Sequence, residues 1–299
     1  MSRGFRSKMK KNWVVPYQNI VAIGDGGEMV ELVEQTNCVG GALWARYHYT
    51  STSPLIISSK VLGSSVRYLL RAGETKLKLV PVFSAAGIEK ASIDGDKIHV
   101  TYAGLGGGGV GATVCRALAK DVMDYTITDA GGSRMSRGAI TLPLRKRVLI
   151  GVDDTDTKDE GATWALVHNI ASSLDCKNSR YLSHAIVQLF PVTYKTQNCV
   201  STVVEFGCID EARLIKKFRG LLEKRTLSEN TGMVSLVRFD ANMLADFAAA
   251  CRREEVEMEH TLGTAKKSGA RIELDGRGVI GALAAIPYFA KPEEGVKVG

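Results

Sequence analysis

The chain has 299 residues, 45% of them hydrophobic and 24% charged, which suits two globular domains with their own cores. A formal net charge of +7 and a pI near 9.0 favour anionic partners: nucleotides, RNA or an acidic protein. No apolar run is long enough for a membrane span. Six scattered cysteines without a C-x-x-C pair argue against a zinc ribbon or a disulfide framework, and the basic start has no apolar stretch behind it, so a cytoplasmic protein is expected.

In chain order, residues 19–23 and 29–33, joined by Gly24-Asp-Gly-Gly27, predict a β-hairpin. Residues 42–49 have strand-like composition. Residues 58–72 place Val61, Leu62, Val66, Leu69 and Leu70 near helical spacing and stop at Gly73, which predicts a helix. Residues 76–80 alternate as a strand, and 93–100 read as a second hairpin around Asp94-Gly95. The expectation for 1–145 is an α+β domain rich in antiparallel sheet.

The loudest feature of that half is the glycine run at 104–111, between an apparent strand and a helix expected over 114–123. Two readings stand. The run is a flexible or closely packed loop, or Gly106, Gly108 and Gly111 let backbone N–H groups approach a phosphate of a bound nucleotide. A strand at 125–128 and a Gly/Ser/Arg-rich linker at 130–146 follow.

The second half, 146–299, is organised around Val148-Leu-Ile-Gly-Val-Asp-Asp-Thr-Asp-Thr157. A buried strand runs into Asp153, Asp154 and Asp156, and a helix is expected over 162–171. One helix cap needs one such residue. Three carboxylates in four positions point instead to a metal, and Mg²⁺ takes one or two carboxylates together with substrate phosphates. Strands are expected at 184–190, 200–206 and 233–239, with helices at 210–225 and 241–253 and a small-residue helix after Gly276. Between two of the strands, Lys195, Thr196 and Asn198 offer a charge, a hydroxyl and an amide suited to phosphate oxygens, while on these residues alone a polar hairpin loop is the first reading. The fold class expected is a mixed α/β, α+β protein of two domains.

Four segments occur in one order: Ile150-Gly-Val-Asp-Asp-Thr-Asp-Thr157, Leu189-x-Pro191 with Lys195-Thr196-x-Asn198, Asn230-Thr-Gly-Met-Val234, and Gly278-Val-Ile-Gly-Ala-Leu-Ala-Ala285. Over 146–286 this set resembles the archaeal tRNA agmatidine synthetase family. The resemblance implies an ATP-dependent, kinase-like half with ferredoxin-like elements. It implies Asp153, Asp154 and Asp156 holding Mg²⁺ with the triphosphate, and Thr155, Thr196, Asn198, Asn230, Thr231 and Gly232 around the nucleotide. A threonine autophosphorylated in that family counts onto Thr163 without gaps; an alignment anchored on the glycine places Trp164 there. The family's loop Lys-Thr-Arg-Gly-Asn is one residue shorter here, and its OB fold and zinc ribbon have no counterpart in the sequence. An unrelated first half before such a region resembles methanogenesis marker protein 11, which implies a cytoplasmic role tied to methanogenesis.

Three functions are therefore expected. The first is a Mg²⁺-dependent, ATP-binding phosphotransferase-like protein associated with methanogenesis. The second is an RNA (tRNA) modification enzyme. The third is a nucleotide-dependent assembly factor for methanogenesis enzymes without turnover of its own. The partners are a nucleotide, with an RNA or a methanogenesis protein, and no membrane.

Overall fold

The computed structural model describes residues 11–297; the basic start at residues 1–10 lies outside them. The chain divides into two compact units, Met1–Arg145 and Lys146–Gly299, and the architecture is mixed α+β. Among the described residues no helix is long and apolar enough to cross a membrane.

In the first unit, β1 (Asn19–Gly24) and β2 (Met29–Gln35) form the expected hairpin. Residues 42–49 are not a strand. They lie in the helix Val39–Thr52, whose buried Ala42, Ala45 and Tyr49 recur at helical spacing. Residues 58–72 are not a helix. They form β3 (Ile56–Leu62) and β4 (Ser65–Arg71), turned at Gly63, where φ is +60°. Val66, Tyr68 and Leu70 are buried at a period of two, and that alternation decides the strand. Residues 76–79 take no regular structure, and Val80 forms only an isolated bridge to Ser84.

After the short β5 (Gly73–Glu74) come β6 (Ala86–Asp94) and β7 (Lys97–Leu105), which pair across Asp94-Gly95 as expected. The glycine run is itself helical: Gly106–Val110 is α-helix and Gly111–Cys115 continues as π-helix, so the helix starts before 114. A Cβ at Gly104 would collide with the backbone of Gly108, and one at Gly138 with that of Ala112. Gly104 and Gly138 therefore serve close approach of helix and strand. The stretch expected as a linker is mostly β9 (Met135–Asp153), which pairs with β7 and with β8 (Asp124–Ile127). The strand order is β3-β4-β2-β1-β9-β7-β6-β5.

At the centre of this unit Arg116, 1% exposed, donates to both carboxylate oxygens of the buried Glu34, at 2.7 and 3.0 Å, and to the Tyr49 hydroxyl at 2.8 Å. Its guanidinium lies 4.4–4.6 Å from the ring centroids of Tyr17, Tyr49 and Tyr102. A charge so deeply placed is tolerable because it is paired, hydrogen-bonded and faced by π-systems.

In the second unit the last residues of β9 lie between β11 (Val200–Cys208) and β12 (Gly232–Val237), with β10 (Ser179–Gln188) and β13 (Arg271–Asp275) outside them. All four pairings are antiparallel. With the helices Thr163–Ser173 and Glu211–Glu223 in the crossovers, the connection is the β-α-β-β-α-β of ferredoxin-like folds. The strands foreseen in this half are present, with ends shifted by a few residues. The helix Met258–Ser268 and the strand β13 were not anticipated.

Both faces of this sheet are covered. Val148, Ile150 and Val152 pack against Val167, Ile170, Leu214 and Phe218 on one side. Leu149, Val203 and Val234 pack against Phe247, Val279, Leu283 and Ile286 on the other. Burial on both faces explains why 148–152 reads as an almost unbroken apolar run. Gly151 admits the helix Val279–Ala285 directly onto the strand: any Cβ there would overlap the carbonyl oxygen of Ala282.

Candidate functional site

The strand β9 ends at Asp153, and the chain turns at once. Asp154 has φ +54°, a left-handed conformation that Asp tolerates better than most residues. Its N–H donates to Asp153 Oδ1 at 2.9 Å. The turn is held from behind. Thr231 donates its hydroxyl to the Asp154 carbonyl at 3.0 Å, and Leu227 N–H reaches the Thr155 carbonyl at 2.9 Å. Thr155 is 2% exposed; its N–H and its hydroxyl both meet Thr163 Oγ1, at 3.2 and 3.0 Å. Thr163 is thus the first residue of its helix and a clamp on the acidic turn, with its hydroxyl buried.

The 195–198 loop closes over the turn. Thr196 donates to Asp156 Oδ1 at 2.8 Å, and Gln197 Nε2 donates to the carbonyls of Thr157 and Gly161 at 3.0 and 3.2 Å. Lys195 Nζ caps the carbonyl of Gln197 at 2.8 Å. A cavity of about 160 Å³ lies between these elements. Asp153, Asp154, Asp156, Thr163 and Trp164 line one side; Lys195, Thr196 and Asn198 line another. Leu189, Phe190, Val192, Val256 and Ile280 supply an apolar wall.

The electrostatics are dominated by carboxylates. Removal from water holds the Asp153 carboxyl well above the ordinary carboxylate range; the charges of Asp154 and Asp156 add to this, against the Asp154 N–H. Burial first, and Asp156 second, push Asp154 up to about 6, while Arg277 pulls it down. The expectation that Asp153, Asp154 and Asp156 together form a metal site is not met as such: among the described residues no group of three or more His, Cys, Asp or Glu side chains could hold a metal ion. What the turn does offer is hard carboxylate oxygens beside the 195–198 loop. That set fits a divalent ion such as Mg²⁺ taking the rest of its shell from phosphate oxygens and water.

Several wall residues were not foreseen. Arg277 lies over the Tyr194 ring at 4.4 Å and brings a second cation to the cavity; in the sequence it is hidden in the turn Gly276-Arg-Gly278. Glu254 and Glu255 line the cavity from a stretch with no motif. Gly281 borders Asp153 so closely that a Cβ there would overlap Asp153 Oδ2. Asn230, Thr231 and Gly232 stand behind the acidic turn: the Asn230 carbonyl accepts Gly278 N–H at 2.9 Å, and a Cβ on Gly232 would overlap the Gly278 backbone. Gly106, Gly108 and Gly111 belong to the first unit, where Gly108 and Gly111 border a separate cavity.

The sheet, the acidic turn and the polar loop lie in a segment that resembles a known domain: residues 149–274 match the TiaS TCKD domain. The tRNA 2-agmatinylcytidine synthetase TiaS of Pyrococcus horikoshii is 31% identical over 148 residues, 46% of this chain and 35% of the synthetase. The chain thus spans about a third of that enzyme. The crystal structure of TiaS in complex with its tRNA and ATP superposes with a TM-score of 0.45 at 23% identity, over 47% of this chain and 36% of that one.

The chain itself belongs to the family of the uncharacterized protein MJ0921 of Methanocaldococcus jannaschii. The two are 40% identical over 281 residues, 91% of this chain and 93% of that protein.

Proposed function

We propose that the Lys146–Gly299 unit binds ATP with Mg²⁺ at the acidic turn and that the protein uses the nucleotide to modify an RNA. The observation that carries this reading is the tie between the two loops, Thr196 on Asp156, which gathers carboxylates and phosphate-binding groups around one cavity. The match of 149–274 to the TiaS TCKD domain and the 31% identity to a tRNA 2-agmatinylcytidine synthetase support the substrate class. The four ordered segments that resemble that family support ATP as the nucleotide.

In this reading one or two carboxylates drawn from Asp153, Asp154 and Asp156 would hold the ion together with phosphate oxygens, and the ion would supply charge neutralisation there. Lys195 and Arg277 add positive charge where negative charge shifts during transfer, since such kinase-like catalysis rests on positioning and electrostatics. Lys195 must first release the Gln197 carbonyl. Thr196 and Asn198 orient phosphate oxygens. Thr155, Thr163, Asn230, Thr231 and Gly232 act by holding the turn in shape. The apolar wall beside Trp164 suits the nucleoside. A cytoplasmic partner among methanogenesis proteins is the narrower reading that the resemblance to methanogenesis marker protein 11 adds.

Calorimetric titration tests the site. Wild type takes up Mg-ATP, Asp156→Ala does not, and both melt cooperatively. ATP consumption that rises on adding archaeal tRNA supports the RNA substrate. Uptake of ATP that is indifferent to Mg²⁺, or unchanged in Asp156→Ala, would sink the reading.

A further inference from the structure

A second cavity, of about 500 Å³, lies within the Met1–Arg145 unit, and the proposed ATP site does not account for it. We propose that it receives an unpaired base of single-stranded RNA, stacked on Trp44. The RNA substrate class is taken from the proposed function; the site is argued from this unit alone.

Trp44 is 43% exposed on the helix Val39–Thr52, while Ala45 and His48 beside it are buried. The indole is supported from two directions. Its ring lies 4.1 Å from that of His48, tilted by 36°. It also bears on the glycine helix, where a Cβ at Gly108 would come within 3.1 Å of both the indole and the Ala85 carbonyl. An aromatic face held this way costs little entropy when a second ring stacks on it. Gly107, Gly108 and Gly111 keep that part of the wall free of side chains, leaving room for a flat ligand.

His48 adds a polar edge. Ala85 N–H donates to its Nδ1 at 3.4 Å, and burial lowers the ring's pKa, so the neutral ring carries its proton on Nε2 as a donor for a base. Val82, also in the wall, has φ +73°, an uncommon conformation for a β-branched residue and one that concentrates at ligand-binding loops.

Charge agrees with that occupant. Residues 11–145 hold 14 Lys and Arg against 11 Asp and Glu, and four more Lys and Arg fall in residues 1–10, whereas 146–299 hold 21 of each. Exposed aromatic surface combined with positive charge is the pairing that single-stranded nucleic acid requires. An apolar peptide would need no such excess.

The test is fluorescence anisotropy of a labelled, mixed-sequence RNA of about 16 nucleotides with the full chain and no ATP. Binding should weaken with salt, Trp44→Ala should weaken it about tenfold, and Trp44→Phe should stay within about threefold of wild type. Photocrosslinking of the wild-type complex should mark the peptide that contains Trp44, which decides the matter if Trp44→Ala does not fold. Wild-type affinity in a folded Trp44→Ala overturns the cavity and leaves the ATP reading standing. Crosslinks confined to other peptides, or equal competition by inorganic polyphosphate, also overturn it. A wild type that binds no RNA removes both this site and the RNA half of the proposed function.

Discussion

Thr196 and Asp156 are forty positions apart in sequence and joined by one hydrogen bond of 2.8 Å, from the threonine hydroxyl to Asp156 Oδ1. Asp156 is 9% exposed, so this bond fixes the direction of a carboxylate that has little water to orient it. It also fixes the 195–198 loop against the acidic turn. The loop and the turn are therefore one device.

Thr196→Val should cut Mg-ATP affinity about tenfold, the scale of a lost hydrogen bond to a charged group. Thr196→Ser keeps the hydroxyl and should remain near wild type. Calorimetric titration of both variants checks this, and equal affinities would detach the loop from the site.

Asp154→Asn should stabilise the metal-free protein while weakening Mg-ATP binding. Asp154 is held at about 6 in the fold, against 3.8 in the unfolded chain. The folded state thus binds the proton more tightly, and this group's contribution to stability falls as pH rises from 3.8 through 6. Above that range the ionised carboxylate costs about 1–3 kcal/mol, which the amide avoids. Urea melts of both proteins at about pH 8 and about pH 4 should show a gap at the higher pH that closes at the lower.

Three glycines should respond differently to the same added methyl group. At Gly151 a Cβ meets the Ala282 backbone, which cannot step aside, so Gly151→Ala should cost about 3 kcal/mol. At Gly281 it meets the end of the Asp153 side chain, which can rotate. Gly281→Ala should therefore fold but bind Mg-ATP poorly. Gly263, inside the helix Met258–Ser268, has nothing within 4 Å of its Cβ position, and Gly263→Ala should gain up to about 1 kcal/mol. Thermal melts with calorimetry separate the three.

Acid should weaken the second unit through His184. Burial, and then the charge of the neighbouring His168, lower its pKa to about 4, against 6.5 in the unfolded chain. The unfolded chain therefore takes up the proton first as pH falls below about 6.5, and stability drops until about pH 4, by up to about 3 kcal/mol. His184→Gln removes the titrating group and should flatten this slope between about pH 7 and about pH 4.5 in denaturant titrations.

The acidic turn is legible in the order of the residues alone. Val148 to Val152 is buried on both faces, so its apolar run survives any register, and Asp153, Asp154 and Asp156 follow it without interruption. The hairpins at 19–35 and 86–105 were legible for the same kind of reason: glycine turns are local chemistry. Residues 39–52 and 56–71 exchanged helix for strand because composition alone favoured the wrong period. Tyr49, Val66, Tyr68 and Leu70 belong to one core, and only that core shows which residues share a face. The crowding at Gly108 and Gly109 was likewise invisible in the run itself, because the atoms a Cβ would press on there, at 3.0–3.1 Å, include the carbonyl of Ala85, some twenty residues away. Arg277, Glu254 and Glu255 came to the cavity only in three dimensions. They lie on two separate stretches of chain, neither with a spacing that marks it, and what joins them is the packing of the sheet and its helices. A strand and its turn are written in neighbouring residues; a cavity wall is not.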